Sequence, residues 1–272
     1  MKTISVLGCG WLGLPLADYL IGRGYELKGS TRTPGELGVI ESRGIKPFYL
    51  VLGPHLSGEN VEDFFKCDIL VIDFPPERRE DIVEYHQAQM SSLVARIKLS
   101  GIKKVLFVSS TSVYPDLDRD VFEDEQALPE KPSGAALLAV EKKLRDCAEF
   151  ETTVIRFGGL IGYDRMPGRF LAGKRGITGG GAPVNLIHRD DCIRIIHRII
   201  ELDIWGETLN ACADEHPVRK EYYTAQAEKL GLEPPLFNEG GGTGYKVVRS
   251  DKLKRLLQYE FKYPDPSHID DV

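Results

Sequence analysis

A doubly wound α/β fold, a parallel sheet wrapped by helices, follows from three observations on this 272-residue chain. Short apolar runs of strand length alternate with segments of helical periodicity along most of the sequence, the pattern that puts a parallel sheet under helices. The first run, Lys2-Thr3-Ile4-Ser5-Val6-Leu7, passes directly into Gly8-Cys9-Gly10-Trp11-Leu12-Gly13 and then into the apolar segment Leu14-Pro15-Leu16-Ala17-Asp18-Tyr19-Leu20. Breaks rich in glycine and proline come late, at 162–186 and 233–244, where a smaller lobe is expected.

After the first strand, strands are expected at 26–30, 48–52, 69–73, 104–108, 153–157 and 208–211, and helices at 14–23, 79–100, 135–150, 191–202, 220–230 and 251–257. The glycine turn has a chemical reason. One glycine makes the tight turn, one lets backbone N–H groups approach a pyrophosphate, and one lets helix and strand pack closely. The helix N-terminus then faces the phosphates. Gly8, Gly10, Trp11, Leu12 and Gly13 are therefore candidate cofactor-binding residues of a Rossmann fold. Residues 1–163, continued by 186–213, are expected to form this dinucleotide domain, and 164–185 with 214–272 a small substrate lobe. Insertions at the carboxyl ends of strands are natural substrate covers; for Gly240-Gly241-Gly242 a plain surface loop serves equally.

The second strand ends in Gly29-Ser30-Thr31-Arg32-Thr33. An acid here would accept the ribose 2′-OH of NAD; Thr31 stands in its place with Arg32 beside it. A guanidinium among hydroxyls suits a 2′-phosphate, so NADP(H) is expected in preference to NAD(H). Phe74, Pro75 and Pro76 are expected to wall the adenosine half, although the prolines also serve to stop the strand.

Bulk properties exclude several classes. A net charge of -6 without any basic run argues against nucleic acid or an anionic membrane as partner. No apolar run is long enough to span a bilayer, so a soluble cytoplasmic protein is expected. The five cysteines lack paired spacing and read as reduced, packed thiols. Too few residues precede Cys9 for a lipoprotein leader. His188, Asp190 and Asp191 lie at a helix start, where carboxylates cap free N–H groups. His55 and His216 have no partner at ligand spacing, and no metal is expected.

Four further segments run in a recognisable order: Ser109-Ser110-Thr111-Ser112-Val113-Tyr114-Pro115, Ile155-Arg156-Phe157-Gly158-Gly159-Leu160-Ile161-Gly162, Val184-Asn185-Leu186-Ile187-His188-Arg189-Asp190-Asp191, and Ser250-Asp251-Lys252-Leu253 with Tyr259-Glu260-Phe261. With the glycine fingerprint they make the chain resemble the extended short-chain dehydrogenase/reductase superfamily, the NAD-dependent epimerase/dehydratase family. Gly168-Arg169-Phe170-Leu171-Ala172-Gly173-Lys174 and the Gly-Cys-Gly-Trp-Leu-Gly form resemble a small YeeZ-like group of atypical members.

The resemblance implies an oxidoreductase or epimerase acting on a carbonyl or sugar-nucleotide-like substrate. It implies that Ser110 hydrogen-bonds the reacting oxygen and that Ser109 or Thr111 approaches the nicotinamide ribose. It also implies a homodimer paired through helices 79–100 and 135–150, which equally read as monomer surface. Two departures matter. The acid/base pair Tyr-x-x-x-Lys belongs about 25 residues past the strand-end serine, and there Ser133 and Leu137 stand instead. The lysine would lower the phenol pKa from about 10 so that it exchanges protons near neutrality, which a serine without a base does not do. Lys142 and Lys143 fall off the required helix face and read as solvated. Tyr163 is the candidate replacement donor, with Tyr114 a second phenol; packing is the other role for both. Arg156, Arg165, Arg169, Lys174 and Arg175 form either an anion site for the substrate or a solvated basic surface. The rival function is a noncatalytic NADP(H) sensor.

Overall fold

A computed structural model describes residues 1–240, 242 and 244–269. Residues 241 and 243 of the expected glycine-rich loop, and 270–272 of the expected lobe, lie outside the described residues. The chain runs β1 (Thr3–Leu7), α1 (Gly13–Ile21), β2 (Glu26–Thr31), α2 (Leu37–Glu41), β3 (Lys46–Leu52), β4 (Leu56–Gly58), α3 (Val61–Phe64), β5 (Ile69–Ile72), α4 (Ile82–Ser100) and β6 (Lys104–Ser110). It continues through β7 (Arg119–Val121), α5 (Pro132–Arg145), β8 (Glu151–Phe157), β9 (Gly159–Ile161), α6 (Gly168–Leu171), β10 (Leu186–His188) and α7 (Arg189–Leu202). β11 (Thr208–Ala211), α8 (Arg219–Lys229), β12 (Lys246–Val248) and α9 (Asp251–Leu257) complete it. These elements divide into two compact units: Met1–Val113 with Leu128–Arg156 and Ile196–Thr208, and Tyr114–Ala127 with Phe157–Ile195 and Leu209–Val272.

In the first unit the strands stand in the order β8-β6-β5-β1-β2-β3-β4. β1 is parallel to β2 and β5, β2 to β3, and β5 to β6; β4 returns antiparallel on β3. The expected α/β fold with a mainly parallel sheet is therefore the observed one. Ile4, Val6, Leu70, Ile72, Leu106 and Phe107 are wholly buried, as strands covered on both faces require. On α4, Met90, Leu93, Val94 and Ile97 are buried at helical spacing, and Gly101 ends the helix at φ 79°. Leu7 lies opposite both Ser30 and Ile72. The turns after β1, β2 and β5 therefore leave from one carboxyl edge, the edge at which open α/β sheets bind ligands.

Element ends shift for identifiable reasons. α4 starts at Ile82 instead of 79, because the Asp81 carboxylate at its N-cap turns away to Arg79, at 2.5 and 3.0 Å. α5 starts three positions early with Pro132 in its first turn, where a missing N–H is harmless, and ends at Arg145 instead of 150.

The second unit is built from pieces too short to carry periodicity. β9 pairs with β10 and β7 with β12, each in parallel; Ile161 of β9 and Leu186 of β10 belong to a buried cluster with Val184 and Tyr222. The Asn185 carboxamide donates to the Lys246 carbonyl and accepts from Val248 N–H, fixing β12. The capping expectation at α7 is corrected. His188 caps its first turn, Nδ1 accepting Asp190 N–H at 3.2 Å. Asp191, wholly buried, instead accepts the Tyr259 hydroxyl and the N–H groups of Lys262 and Tyr263, binding the following segment. Among the described residues no helix is long and apolar enough to cross a membrane.

Candidate functional site

The glycine fingerprint occupies the turn between β1 and α1, and each glycine meets a different environment. A Cβ on Gly8, at φ 105°, would fall 2.1 Å from the Asp73 carbonyl oxygen, and one on Gly13 would fall 2.1 Å from the Gly8 carbonyl oxygen. Gly10 has nothing within 4 Å of that position. Two glycines thus let backbone cross backbone, while the middle one opens onto free space that any side chain would fill. No side chain caps α1 and no acid stands in its first turn, so its N-terminal dipole is left for an anion. The loop is anchored to β2, Cys9 N–H donating to the Ser30 carbonyl at 2.8 Å and Gly8 N–H to the Ser30 hydroxyl at 3.1 Å. Burial, with Asp73 adding to it, pushes the Cys9 thiol up to about 12, so this cysteine packs and does not react.

The free space belongs to a cavity of about 790 Å³ at the carboxyl edge of β1, β2, β3 and β5. Its wall includes Gly8, Gly10, Thr31, Arg32, Phe74 and Pro75, six of the residues expected to bind cofactor. Trp11, Leu12, Gly13 and Ser109 are not in that wall: Leu12 is buried at the N-cap of α1, and the Ser109 hydroxyl is spent elsewhere, as described below. A nicotinamide dinucleotide fits this shape and chemistry, with Gly10 and the α1 terminus for the pyrophosphate and Leu50, Leu52 and Phe74 as apolar wall.

The cavity also brings in charged residues that sequence reasoning passed over: Glu36, Asp73, Glu77 and Arg78. Arg32 is ion-paired with Glu77 at 2.8 Å. The Thr31 hydroxyl donates to Glu36 at 2.5 Å and accepts Thr33 N–H at 3.1 Å, locking the turn after β2. Asp73 had a visible signal, being the last residue of the strand expected at 69–73. Glu36 and Glu77 had none, since their loops fix them only in three dimensions.

Around Ser110 the same unit differs from expectation. The Ser110 hydroxyl oxygen accepts Ser112 N–H at 3.1 Å, which leaves its own proton to donate. On α5, Leu137 is buried where a lysine would stand. One turn further along the same face is Glu141, wholly buried, which takes Arg156 through Nε and Nη2, the shortest contact being 2.6 Å. Ser109 donates to the same carboxylate at 2.6 Å. Arg156, expected as a substrate-anion ligand, is thus a 4 % exposed partner of Glu141 and is withdrawn from that role. Lys142 is solvated as expected, bound to Asp146 on its own helix.

In the second unit Tyr163 sits at φ 56°, with the Arg189 guanidinium 3.8 Å over its ring and its hydroxyl donating to Asp190 at 2.8 Å. Burial and the Asp190 carboxylate push its phenol above the ordinary value, against what a proton donor at neutral pH needs. Tyr114 is buried and donates to Asn210, a packing role. Of the basic cluster, Arg175 pairs with Glu233 and Lys174 donates to the Phe170 carbonyl.

Residues 4–212 match the NAD dependent epimerase/dehydratase family. The chain belongs to that family. A relative within it, Protein YeeZ of Escherichia coli strain K12, is 34% identical over 269 residues, covering 98% of each chain. Among solved structures, a conserved protein of unknown function from Silicibacter pomeroyi superposes with a TM-score of 0.80 at 24% identity, over 97% of this chain and 95% of that one. UDP-glucuronic acid 4-epimerase from Bacillus cereus, solved in complex with NAD, gives 0.78 at 20% identity, over 96% and 94%. The family's Rossmann-like fold and its nucleotide-cofactor chemistry match the glycine loop and cavity described above.

Proposed function

We propose that the protein is an NADP(H)-binding oxidoreductase or epimerase acting on a carbonyl or sugar-nucleotide-like substrate, with an atypical proton-transfer site. The observation that carries this is the cavity onto which Gly10 opens, backed by two glycines whose Cβ positions are filled by backbone. When bound, the nicotinamide supplies or accepts a hydride. Arg32, with the Thr31 and Thr33 hydroxyls near it, is the ligand for a 2′-phosphate. Ser110 donates a hydrogen bond to the reacting carbonyl oxygen and so stabilises the charge that develops there. The proton comes from water, because Tyr163 already gives its hydrogen bond to Asp190 and has its pKa raised. Arg165 and Arg169 are not needed by this reading; an anionic substrate group would find them on the exposed segment before and within α6.

The second reading, a noncatalytic NADP(H) sensor, is favoured by Ser133 and Leu137 on α5. Ser110→Ala separates the two. For an enzyme, NADPH oxidation against a panel of carbonyl compounds falls by about 100-fold while NADPH affinity is kept. A sensor shows no turnover in either protein.

A further inference from the structure

Arg32 and Glu77 form an ion pair on the wall of the cavity. We infer that Glu77 sets the balance between NADP(H) and NAD(H) by competing with a 2′-phosphate for the Arg32 guanidinium. This rests on the reading that the cavity holds a nicotinamide dinucleotide.

Three observations carry it. Arg32 and Glu77 both line the cavity and meet at 2.8 Å, yet their side chains are 73% and 39% exposed. An ion pair that open to solvent contributes little, so the guanidinium is exchanged from carboxylate to phosphate at low cost. Second, the base of Arg32 is held while Glu77 is delivered separately. Thr31 and Glu36 lock the turn after β2, whereas Glu77 arrives on Pro75 and Pro76 from the end of β5, two residues of fixed φ that lead the chain to the cavity wall. Third, the charge balance differs between the two cofactors. A 2′-phosphate brings close to two negative charges against Glu77 and Glu36 on the same wall. A 2′-hydroxyl is neutral and makes no demand on the guanidinium, leaving the Arg32–Glu77 pair in place. Glu77 therefore opposes NADP(H) and is indifferent to NAD(H), while Arg32 favours NADP(H).

The test is calorimetric titration of the full chain, stripped of nucleotide, with NADPH and NADH in low salt. It is run on wild type, Glu77→Gln, Arg32→Gln and the double variant. Removing the competing carboxylate should tighten NADPH by about three- to tenfold and leave NADH within about twofold. In the Arg32→Gln background the same change should bring a smaller NADPH gain, the non-additivity expected of residues that share one partner. An unchanged NADPH affinity in Glu77→Gln, or an equal gain for NADH, overturns the inference while leaving the cavity's reading intact. Binding of neither nucleotide by wild type overturns both.

Discussion

Two stretches of the same carboxyl edge have been treated differently. At the β1–β2–β5 end the fingerprint glycines, the uncapped α1 and an open cavity are all present, the parts that bind a dinucleotide through backbone. At the β6–α5 end, α5 carries Ser133 and buried Leu137, and Glu141, one turn past Leu137, is locked into an ion pair with Arg156. The α5 end has become a packed polar core beneath Ser110, with Ser109 as its third member. The contrast is one of construction: the first end is shaped by where backbone passes and stays open, and the second is filled by a side-chain ion pair.

The largest effect that would break this contrast is at Glu141. Glu141→Gln leaves Arg156 buried without its countercharge and should cost about 3–5 kcal/mol of stability in urea denaturation. A loss below about 1 kcal/mol would mean that the α5 face is not the packed polar core described. A smaller effect sharpens the picture at Tyr163. Tyr163→Phe removes the hydroxyl that bonds Asp190 at a solvent-facing position and should lower stability by about 0.5–1 kcal/mol. If it instead abolished turnover of an identified carbonyl substrate, water would have to give way to this phenol as proton source.

Much of the binding end was legible in sequence. Leu7-Gly8-Cys9-Gly10 announces a strand entering a glycine turn because the backbone geometry demands those residue types, and the strand and helix order followed from periodicity. Ser133 and Leu137 on the helix after Ser110 were equally legible, since placing them needs only counting along the chain. What replaced them was not. Glu141 looks like a solvated helix residue until β8 brings Arg156 beneath it, and Glu77 looks like loop polarity until the Pro75-Pro76 segment brings it to Arg32. Three-residue strands such as β9 and β12 carry no periodic signal at all, and the capping role passed from Asp191 to His188 because the segment at Tyr259–Tyr263 claims that carboxylate.

The most direct test of the central claim, that the cavity opposite Gly10 holds a dinucleotide, is calorimetric titration of wild type and Gly10→Val with NADPH. Because a Cβ at Gly10 meets nothing within 4 Å, the fold should tolerate valine and the thermal midpoint should shift by no more than about 2 °C. The account predicts one-to-one binding to wild type and none to the variant. Equal binding by both proteins, or by neither, would contradict it.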